Sequence, residues 1–492
     1  MQNLLISIQK SSLLKPTIFV YFFIPFLSFL LHFHIFNRDL VGIHVWRQTQ
    51  TQSNIENFYK DDFNIFNPRY NNLENSNGFV RLEFPIMQWI FACFYKLFGE
   101  SIIIVRTLSF LLGLLSTWGI YYCTKWIFND NKLAQLSTWC FTFSPVFYYY
   151  TMNPIPDNFA LCCIIWFLAF FIRYLSSFNL KYILISSLFF CLGSLAKLPF
   201  LIYGIIPLLF VIKNWQNKRQ FIHTILIFSF ATIPVTIWYG YNLANLKSTI
   251  PISGIFNSEI NWIEIVEIIW GNFISVFPEL IINYASCLFF FSGLILVFKN
   301  KLYQTKYAYL FTGLGIIIIL YFLFEIRAIS TIHDYYLFPF LPLIFIIVGY
   351  GSFYILNHKF IWLQRLGFVC LIILPLTAFL RINTRWNLES PGFNKYLLTH
   401  KTELRNAVPH NSLCIVGNDI SNHIFLYYIQ KKGWTFSEDN LSPQNLNRMI
   451  NNGAKYLYCD VRKIDENKQI QPYLDKQITQ IGDIKIYSLK SP

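Results

Sequence analysis

Charged side chains are scarce in this sequence: Asp, Glu, Lys and Arg together make up only 13% of its 492 residues. Soluble globular domains carry about 25% charged residues, so this chain has too few to cover itself with a water-soluble surface. Hydrophobic residues make up 55% of the sequence, and 52 residues are Phe. The composition therefore excludes an ordinary soluble protein and indicates an integral membrane protein.

The sequence also lacks the short motifs that mark most metal and nucleotide sites. It has no CxxC pair, no HExxH and no Gly-rich phosphate loop. His32 and His34 are two residues apart, which places them on different faces of a helix, so we interpret them as interfacial histidines rather than metal ligands. No certain cofactor follows from these motifs. A divalent cation stays open as a cofactor, without a strong ligand cluster to hold it.

The 10 cysteines form no spacing pattern of their own. Eight of them lie in or beside apolar segments, where Cys behaves as a small hydrophobic residue. Cys414 and Cys459 fall on two predicted neighbouring strands. The sequence leaves two alternatives for this pair, a disulfide or two buried thiols.

What the sequence does contain is a series of long apolar runs. A helix that crosses about 30 Å of hydrocarbon needs about 20 apolar residues, because backbone groups in lipid must bond within their own segment. The run 85–98 is too short to cross and opens with Pro85, so we interpret it as an interfacial or re-entrant helix. On the length criterion we predict about eleven transmembrane helices, at residues 16–36, 101–126, 133–151, 157–175, 181–196, 198–213, 220–240, 283–299, 307–326, 335–356 and 360–380.

Positive and negative charges fall in alternate loops between these spans. With the N-terminus in the cytoplasm, Lys and Arg collect in the inner loops, as the positive-inside rule requires, and nearly every carboxylate from Asp39 to Asp334 falls outside. We therefore predict a multi-pass protein of the plasma (inner) membrane whose chemistry takes place at the outer face. The formal net charge of +14 then belongs to loops that face anionic headgroups, and we exclude nucleic acid as a partner.

The character of the sequence changes near residue 386. Residues 1–385 form the predicted transmembrane domain, with a long first outer loop at 37–100, and residues 386–492 predict a small extracytoplasmic α/β domain. In the second domain SLCIVGND and AKYLYCDV predict strands, and SNHIFLYYIQKK and SPQNLNRMINNGA predict helices, with Ser442 as an N-cap. The closing run QITQIGDIKIYSL predicts a β-hairpin.

The stretch GIHVWRQTQTQSNIENFYKDD, residues 42–62, is polar although it follows a span directly. Its pattern predicts an amphipathic helix on the outer surface, with its Gln, Asn and Glu side chains in water and its apolar residues Trp46, Ile55, Phe58 and Tyr59 in the interface. Candidate reactive groups occur in the same loop and at the outer ends of spans, namely Asp39, His44, Arg47, Glu83, Asp157, Lys197, His333 and Asp334. A shared site at the outer face is therefore the economical interpretation.

Seven motifs, in this order, carry a resemblance to a known family: HVWRQTQT, NFYKDDFNIFNP, LEFPIMQWIFACFYKLFGES, VRTLSFLLG, NPIPDNFAL, SLAKLPF and HDYYLFPFLP. Together they resemble the GT-C membrane glycosyltransferases, and more narrowly the bacterial relatives of protein O-mannosyltransferases and of the aminoarabinose transferase that modifies lipid A. The resemblance covers residues 1 to about 380. It implies that the transmembrane domain is a GT-C-type catalytic domain.

The resemblance implies the transfer of one sugar, with inversion, from a polyprenyl phosphate donor to an acceptor at the outer leaflet, the acceptor being a lipid, a glycan or a protein. Such chemistry needs a base for the acceptor hydroxyl and cations for the departing phosphate. Relatives carry an Asp-Glu pair early in the first outer loop, where this chain has Arg47 and Gln48. Glu83 matches a second acidic position of the family and is the leading candidate for the base. Asp39 and Asp157 are the other catalytic candidates.

The resemblance also implies a site for the donor phosphate. Lys197 matches a family lysine after SLA, and the other candidates for the phosphate are Arg47, Arg106, His333, Tyr335 and Tyr336. The candidates for acceptor or sugar are His44, Gln48, Gln50 and Asp334.

Several of these positions also have a purely structural interpretation. Glu83 and Asp157 are placed to satisfy helix N-termini, and Lys197 to snorkel from a helix end. Arg106 is placed to anchor headgroups, and the tyrosines are placed to form an aromatic belt.

Two other functional classes stay open at this point. A secondary transporter has midplane charges and broken helices, but it is expected to show related halves, and we find no internal repeat in this sequence. A non-catalytic membrane protein of envelope polysaccharide assembly needs no phosphate-binding residues.

Overall fold

The computed structural model describes residues 15–74, 77–245, 261–305, 307–331, 333–437 and 441–491. The chain forms two compact units. The first, here called the helical unit, is Met1–Phe36 with Arg106–Ile382, and the second, here called the mixed unit, is Asn37–Val105 with Asn383–Pro492. The sequence places the loop 37–100 with the spans, whereas in the structure this loop groups with the C-terminal residues.

Long apolar helices dominate the helical unit, as the composition predicts for a membrane protein. A pair of helices, Trp262–Ile281 and Tyr284–Lys299, is bent by 99° and forms either one broken span or a re-entrant loop. Within the described ranges, six helices are long and apolar enough to cross a membrane: Pro16–Ile35, Ile102–Phe128, Pro156–Ser177, Lys218–Asn242, Asp334–Leu356 and Ile361–Trp386.

Other predicted spans lie on shorter helices. Leu180–Ala196, Leu198–Lys213 and Ala308–Phe324 occupy three of them. The span predicted at 133–151 is divided between Asn131–Thr142 and Pro145–Tyr150. These elements are shorter than the roughly 20 residues of a straight crossing, so the count of eleven stays a prediction.

Small residues allow two helices of this unit to touch through their backbones. A Cβ added at Gly351, in the helix Leu341–Leu356, would lie 1.9 Å from the carbonyl oxygen of Phe289, in the helix Cys287–Lys299. One added at Gly293 would lie 2.1 Å from the carbonyl oxygen of Ile347. Close backbone approach through small residues is typical of helix pairs in membranes, where dispersion contacts replace the hydrophobic effect.

In the described part of the mixed unit the strands form one five-stranded sheet of order β2-β1-β3-β5-β4. β1 pairs in parallel with β2 and β3, and β5 is antiparallel to β3 and β4. The predicted strands and the C-terminal hairpin are thereby confirmed. The strands are β1 (Leu413–Gly417), β2 (Lys432–Thr435), β3 (Tyr456–Cys459), β4 (Leu474–Ile481) and β5 (Ile484–Leu489).

Short helices cover this sheet. Ile424–Ile429 and Pro443–Asn451 are the two predicted ones, and the Ser442 side chain accepts a hydrogen bond from the backbone N–H of Asn445 as the predicted cap. The turns Tyr396–Thr399 and Lys401–Asn406 add to them.

The cysteines of the sheet are thiols. Cys414 on β1 and Cys459 on β3 are both buried and free, and the register of the two strands sets Cys459 opposite Gly417. Burial raises the pKa of Cys414 to about 12. Of the two alternatives for this pair, the structure has the buried thiols.

The first outer loop supplies two helices to the mixed unit, Val45–Lys60 and Ile86–Phe98. The sequence predicts that the helix Val45–Lys60 exposes its polar side chains to water. This prediction is wrong, because the side chains from Arg47 to Phe58 are all buried. They bond inside the unit instead. Gln52 Nε2 donates to the Tyr95 hydroxyl over 2.8 Å, and Asn54 Nδ2 donates to the carbonyl oxygen of Arg69 over 3.0 Å.

Candidate functional site

In the helical unit Asp157 and Lys197 form an ion pair. Asp157 lies in the first turn of the helix Pro156–Ser177, and Lys197 directly follows the helix Leu180–Ala196. The Lys197 Nζ lies 3.5 Å from the Asp157 Oδ1, and the two side chains are 11% and 2% exposed. Helix ends thus bring together two groups that are far apart in the sequence, and the cation keeps limited access to solvent.

Two tyrosines flank the ammonium group of Lys197. Its Nζ lies 5.4 Å from the ring centroid of Tyr336 and 6.0 Å from that of Tyr335, within the range of cation–π attraction. His333 packs on both rings, at centroid distances of 5.4 Å to Tyr335 and 5.3 Å to Tyr336. Lys197 therefore lies against an aromatic wall that the segment after residue 332 provides.

The same segment is held by a hydrogen bond to a neighbouring helix. Asp334 accepts a 2.5 Å hydrogen bond from the hydroxyl of Tyr150, which ends the helix Pro145–Tyr150. The ring of Tyr150 also packs edge-on against that of Tyr335, at 5.7 Å between centroids. These two contacts of Tyr150 fix the aromatic wall of Tyr335 and Tyr336 relative to the turn that precedes Asp157.

Arg106 is fully buried and organises that turn. Its Nη1 donates to the carbonyl oxygen of Met152 over 2.8 Å and to the Asn153 Oδ1 over 2.5 Å. Asn158 Nδ2 donates to the carbonyl oxygens of Tyr150 and Asn153 over 2.6 Å and 2.7 Å. Because Asn158 directly follows Asp157, these bonds set where the Asp157 carboxylate lies. Arg106 is therefore placed to position other residues, and a buried guanidinium is not a headgroup anchor.

In the mixed unit Arg47 joins two of the predicted site residues. Its guanidinium donates one hydrogen bond to the Glu83 carboxylate and another to the Gln50 side-chain oxygen. Arg47 is buried, whereas the Glu83 side chain is 12% exposed. Glu83 thus combines a cationic partner with access to solvent.

The chain of contacts continues to His423. Its Nε2 lies 3.0 Å from the Gln50 Nε2. Burial, together with the nearby charge of Arg47, lowers the pKa of His423 to about 3. The imidazole is therefore neutral near pH 7, and its Nε2 accepts from the Gln50 amide. A neutral histidine beside a buried arginine avoids like-charge repulsion.

The remaining predicted residues have contacts elsewhere in the mixed unit. The two carboxylate oxygens of Asp39 lie 2.9 Å and 2.8 Å from the Lys401 Nζ. Gln48 Nε2 donates to the carbonyl oxygen of Ile43 over 3.2 Å. His44 is buried with a left-handed backbone (φ 55°) and marks the start of the helix Val45–Lys60.

A model of the family described as dolichyl-phosphate-mannose-protein mannosyltransferase matches residues 83–238. The matched segment begins at Glu83 and contains Arg106, Asp157 and Lys197. No curated protein sequence matches this chain.

Among solved structures, ArnT from Cupriavidus metallidurans bound to undecaprenyl phosphate aligns with 95% of this chain and 97% of its own, at a TM-score of 0.67 and 12% identity. The protein has the GT-C fold. Two other proteins support this assignment. The Archaeoglobus fulgidus oligosaccharyltransferase in complex with Zn and sulfate has a TM-score of 0.56 at 12% identity, over 90% of this chain and 68% of its own. The arabinofuranosyltransferase AftD from Mycobacteria has a TM-score of 0.52 at 10% identity, over 94% of this chain and 41% of its own.

The GT-C fold confirms the resemblance that the seven motifs carry. Within it, the structure brings Asp157, Lys197, Tyr335 and Tyr336 together in the helical unit. In the mixed unit it brings Arg47, Gln50 and Glu83 together, whereas Asp39 pairs with Lys401.

Sequence reasoning missed several residues that contact these clusters, among them His423, Tyr150 and Asn158. His423 lies 373 positions from Gln50, in a run whose apolar pattern predicts a helix and no site. NPIPDNFAL, one of the motifs of the resemblance, contains Asn158, and the amide next to a candidate carboxylate was a usable signal. Among the residues that the structure describes, no group of three or more His, Cys, Asp or Glu is placed to hold a metal ion.

Proposed function

We propose that this protein is an inverting glycosyltransferase that moves a single sugar from a polyprenyl-phosphate-linked donor to an acceptor hydroxyl at the outer face of the membrane. The observation that carries the proposal is the Asp157–Lys197 pair against the wall of Tyr335 and Tyr336. It places a partly accessible cation beside a carboxylate, inside the segment that matches the mannosyltransferase model.

The donor phosphate is the group that this cation fits. The Lys197 ammonium has three N–H donors, and its 3.5 Å separation from the Asp157 Oδ1 is long for a direct hydrogen bond. Phosphate oxygens accept hydrogen bonds from such an ammonium group, while the ion pair with Asp157 keeps it in place. A fixed positive charge stabilises the phosphate as it leaves, which lowers the barrier without any rearrangement at that moment.

The transfer itself is a displacement at the anomeric carbon. The acceptor oxygen forms the new bond to that carbon, and the bond from the carbon to the phosphate oxygen breaks on the opposite face. The electron pair leaves with the polyprenyl phosphate, and the acceptor proton passes to a carboxylate base. Glu83 is the leading candidate for that base, with Asp157 and Asp39 as the other two, because Glu83 is partly exposed and matches an acidic position of the family.

The proposal includes a topology. The chain crosses the inner membrane eleven times, with its N-terminus in the cytoplasm and residues 386–492 outside. Support comes from the inner loops, where Lys and Arg collect, and from the apolar helices that occupy the predicted spans.

The experiment that tests the function uses a deletion strain and the purified protein. Loss of the protein is expected to cause one lipid-linked sugar to accumulate, and adding the wild-type protein to membranes of that strain is expected to consume it. The Lys197→Ala variant, inserted normally, is expected to leave the sugar unconsumed. Lys197→Arg is expected to restore only part of the activity, since a planar guanidinium holds phosphate in a different geometry.

Lys181→Ala is the matched control, because Lys181 also lies at an end of the helix Leu180–Ala196 and is exposed. It is expected to behave as wild type. A Lys197→Ala variant with full activity would contradict the assignment of Lys197, and a deletion strain without any accumulated lipid-linked sugar would contradict the enzyme itself.

A further inference from the structure

A cleft with a volume of about 470 Å³ lies within the mixed unit. Sites for small ligands commonly measure about 300–1,000 Å³, so this cleft has room for one. None of its lining residues belongs to the candidate clusters described above. They come from the end of the helix Val45–Lys60, from Asp61 and Asn71, and from residues 410–413 and 430–432.

Backbone pairing and buried side chains hold the walls of this cleft. The outer-loop residues Asn71 and Leu73 exchange hydrogen bonds with Gly433 at the edge of the sheet, over 3.0 Å and 2.7 Å. The Lys431 ammonium, nearly buried, donates to the carbonyl oxygens of residues 408–410 over 3.1–3.3 Å. The walls are therefore built before any ligand arrives, which lowers the entropic cost of binding.

Most of the residues that line this cleft are of polar type. Of the described lining residues, Leu413 alone is apolar. Carboxylate and carboxamide oxygens offer acceptors, and ammonium groups and amides offer donors, so hydrogen-bonding groups of both kinds face the space. A lipid chain would leave these polar groups without hydrogen-bond partners, which makes it a poor match for the cleft.

The charges around the cleft are paired rather than concentrated. The Lys60 Nζ lies 2.8 Å from the Glu100 Oε2, and the Lys432 Nζ lies 2.6 Å from the Asp61 Oδ2. Phosphate sites depend on several cationic donors directed at one point. Here Lys60 and Lys432 are paired with carboxylates, and the Lys431 ammonium is directed at backbone carbonyl oxygens. An uncharged ligand with many hydroxyl groups matches a lining that offers both donors and acceptors.

Glu56 adds a group that serves as both donor and acceptor. Its carboxyl is buried and accepts from Gln52 Nε2 over 3.0 Å. Burial raises the pKa of Glu56 to about 7, against the opposing effect of Lys60. Near neutral pH a substantial fraction of this carboxyl is protonated, and a protonated carboxyl can both donate to and accept from a sugar hydroxyl.

We propose that this cleft binds a neutral saccharide through Glu56, Lys60, Asn411 and their polar neighbours. The identity of the ligand rests on the proposed function, under which the saccharide is a glycan portion of the acceptor. The cleft is then a binding site for the acceptor that is distinct from the residues that carry the chemistry.

Calorimetric titration of the full-length protein in detergent tests the proposal without any lipid-linked donor. The probes are methyl α-mannoside, mannobiose and lactose, with inorganic phosphate as a separate arm. Wild-type protein is expected to bind at least one of the saccharides. Asn411→Trp, which fills the cleft from an exposed loop, and Lys60→Met, which removes one donor group, are each expected to weaken that binding by about tenfold or more.

Matched controls are Gln469→Trp and Lys463→Met, which alter exposed residues of the same unit outside the cleft. Both are expected to bind as wild type, and a thermal melt shows that each variant is folded. Absence of saccharide binding to wild type, binding of phosphate alone, or undiminished binding by both cleft variants would each overturn the proposal. Because no donor is present, a failure here is distinct from a failure of the transferase reaction.

Discussion

At the scale of single residues, carboxylates in this protein are paired with cations. Asp157 lies beside Lys197, Glu83 beside Arg47, and Asp39 beside Lys401. The first two pairs join residues that the resemblance already implied for the site. The contact of Gln50 with His423 could not be read from the sequence, because it depends on how the outer loop packs against the C-terminal residues.

We expect Glu83→Gln to lower the rate of transfer by about 100-fold or more while donor binding persists. Glutamine keeps the shape of the side chain and an oxygen for the Arg47 contact, but it is not a base. Asp39→Asn is expected to be milder, since Asp39 already pairs with Lys401 at 2.8 Å. Single-turnover transfer and donor titration separate the two effects. If Asp39→Asn abolished transfer and Glu83→Gln did not, the two assignments would be reversed.

The shifted pKa values of two buried side chains, His423 and Glu56, give pH opposite effects on the stability of the folded state. The pKa of His423 is about 3 in the folded state, below its ordinary value, so acidification through about pH 6.5 protonates the unfolded chain first and destabilises the fold. The pKa of Glu56 is about 7, above its ordinary value. Between about pH 7 and pH 4.5 the folded state therefore binds the extra proton there, and acidification stabilises the fold.

We therefore expect His423→Gln to reduce the loss of stability between pH 7 and pH 5, and Glu56→Gln to increase it. Both substitutions keep a hydrogen-bonding side chain and remove the titration. Thermal melts of the two variants and of wild type across this pH range test the signs. Identical pH dependence in all three proteins would rule out both assignments.

At the scale of elements, local sequence signals predicted whether a segment is a helix or a strand better than they predicted what packs around it. The β4–β5 hairpin and the helix Pro443–Asn451 were predicted from turn and cap residues, which act locally. The polar helix Val45–Lys60 was predicted as a helix, but its exposure was predicted wrongly. A polar face goes to water only when no partner covers it, and here Tyr95 and backbone carbonyls supply the partners.

Helix packing in the helical unit predicts a steric penalty at Gly351. We expect Gly351→Ala to destabilise the protein by about 1–3 kcal/mol, because the added methyl group meets the backbone of Phe289 at 1.9 Å and forces the two helices apart. Gly315→Ala is the matched control, since a Cβ there meets nothing within 4 Å. Melting temperatures in detergent compare the two variants. Equal stability of both would show that the helices do not approach so closely.

At the scale of the whole molecule, composition alone predicted a membrane protein, and ordered motifs predicted the GT-C fold. The assignment of the first outer loop to a unit could not be predicted from either, since it is decided by pairing with strands at the other end of the chain. The number of crossings is likewise a property of the whole chain, because each crossing reverses the side of everything after it.

The topology makes a direct prediction for reporter fusions. A reporter fused after Asn300 is expected to read as cytoplasmic, and one fused after Arg385 as extracytoplasmic, because three predicted spans lie between them. Paired alkaline phosphatase and green fluorescent protein fusions measure both sides. If both positions reported the same side, the number of spans between them would be even, and the predicted count would be wrong.

The bonds between Asn71, Leu73 and Gly433 also have a consequence for the order of folding. The ribosome makes the outer-loop residues first and adds strand β2 several hundred residues later. At about 5–20 residues per second, the loop waits tens of seconds for the strand whose edge it completes. During that time the polar helix Val45–Lys60 lacks the partners from the C-terminal segment. Residues 37–100 are therefore among the first to be synthesised and among the last to reach their final packing. A chain that ends before residue 433 lacks the strand with which Asn71 and Leu73 pair.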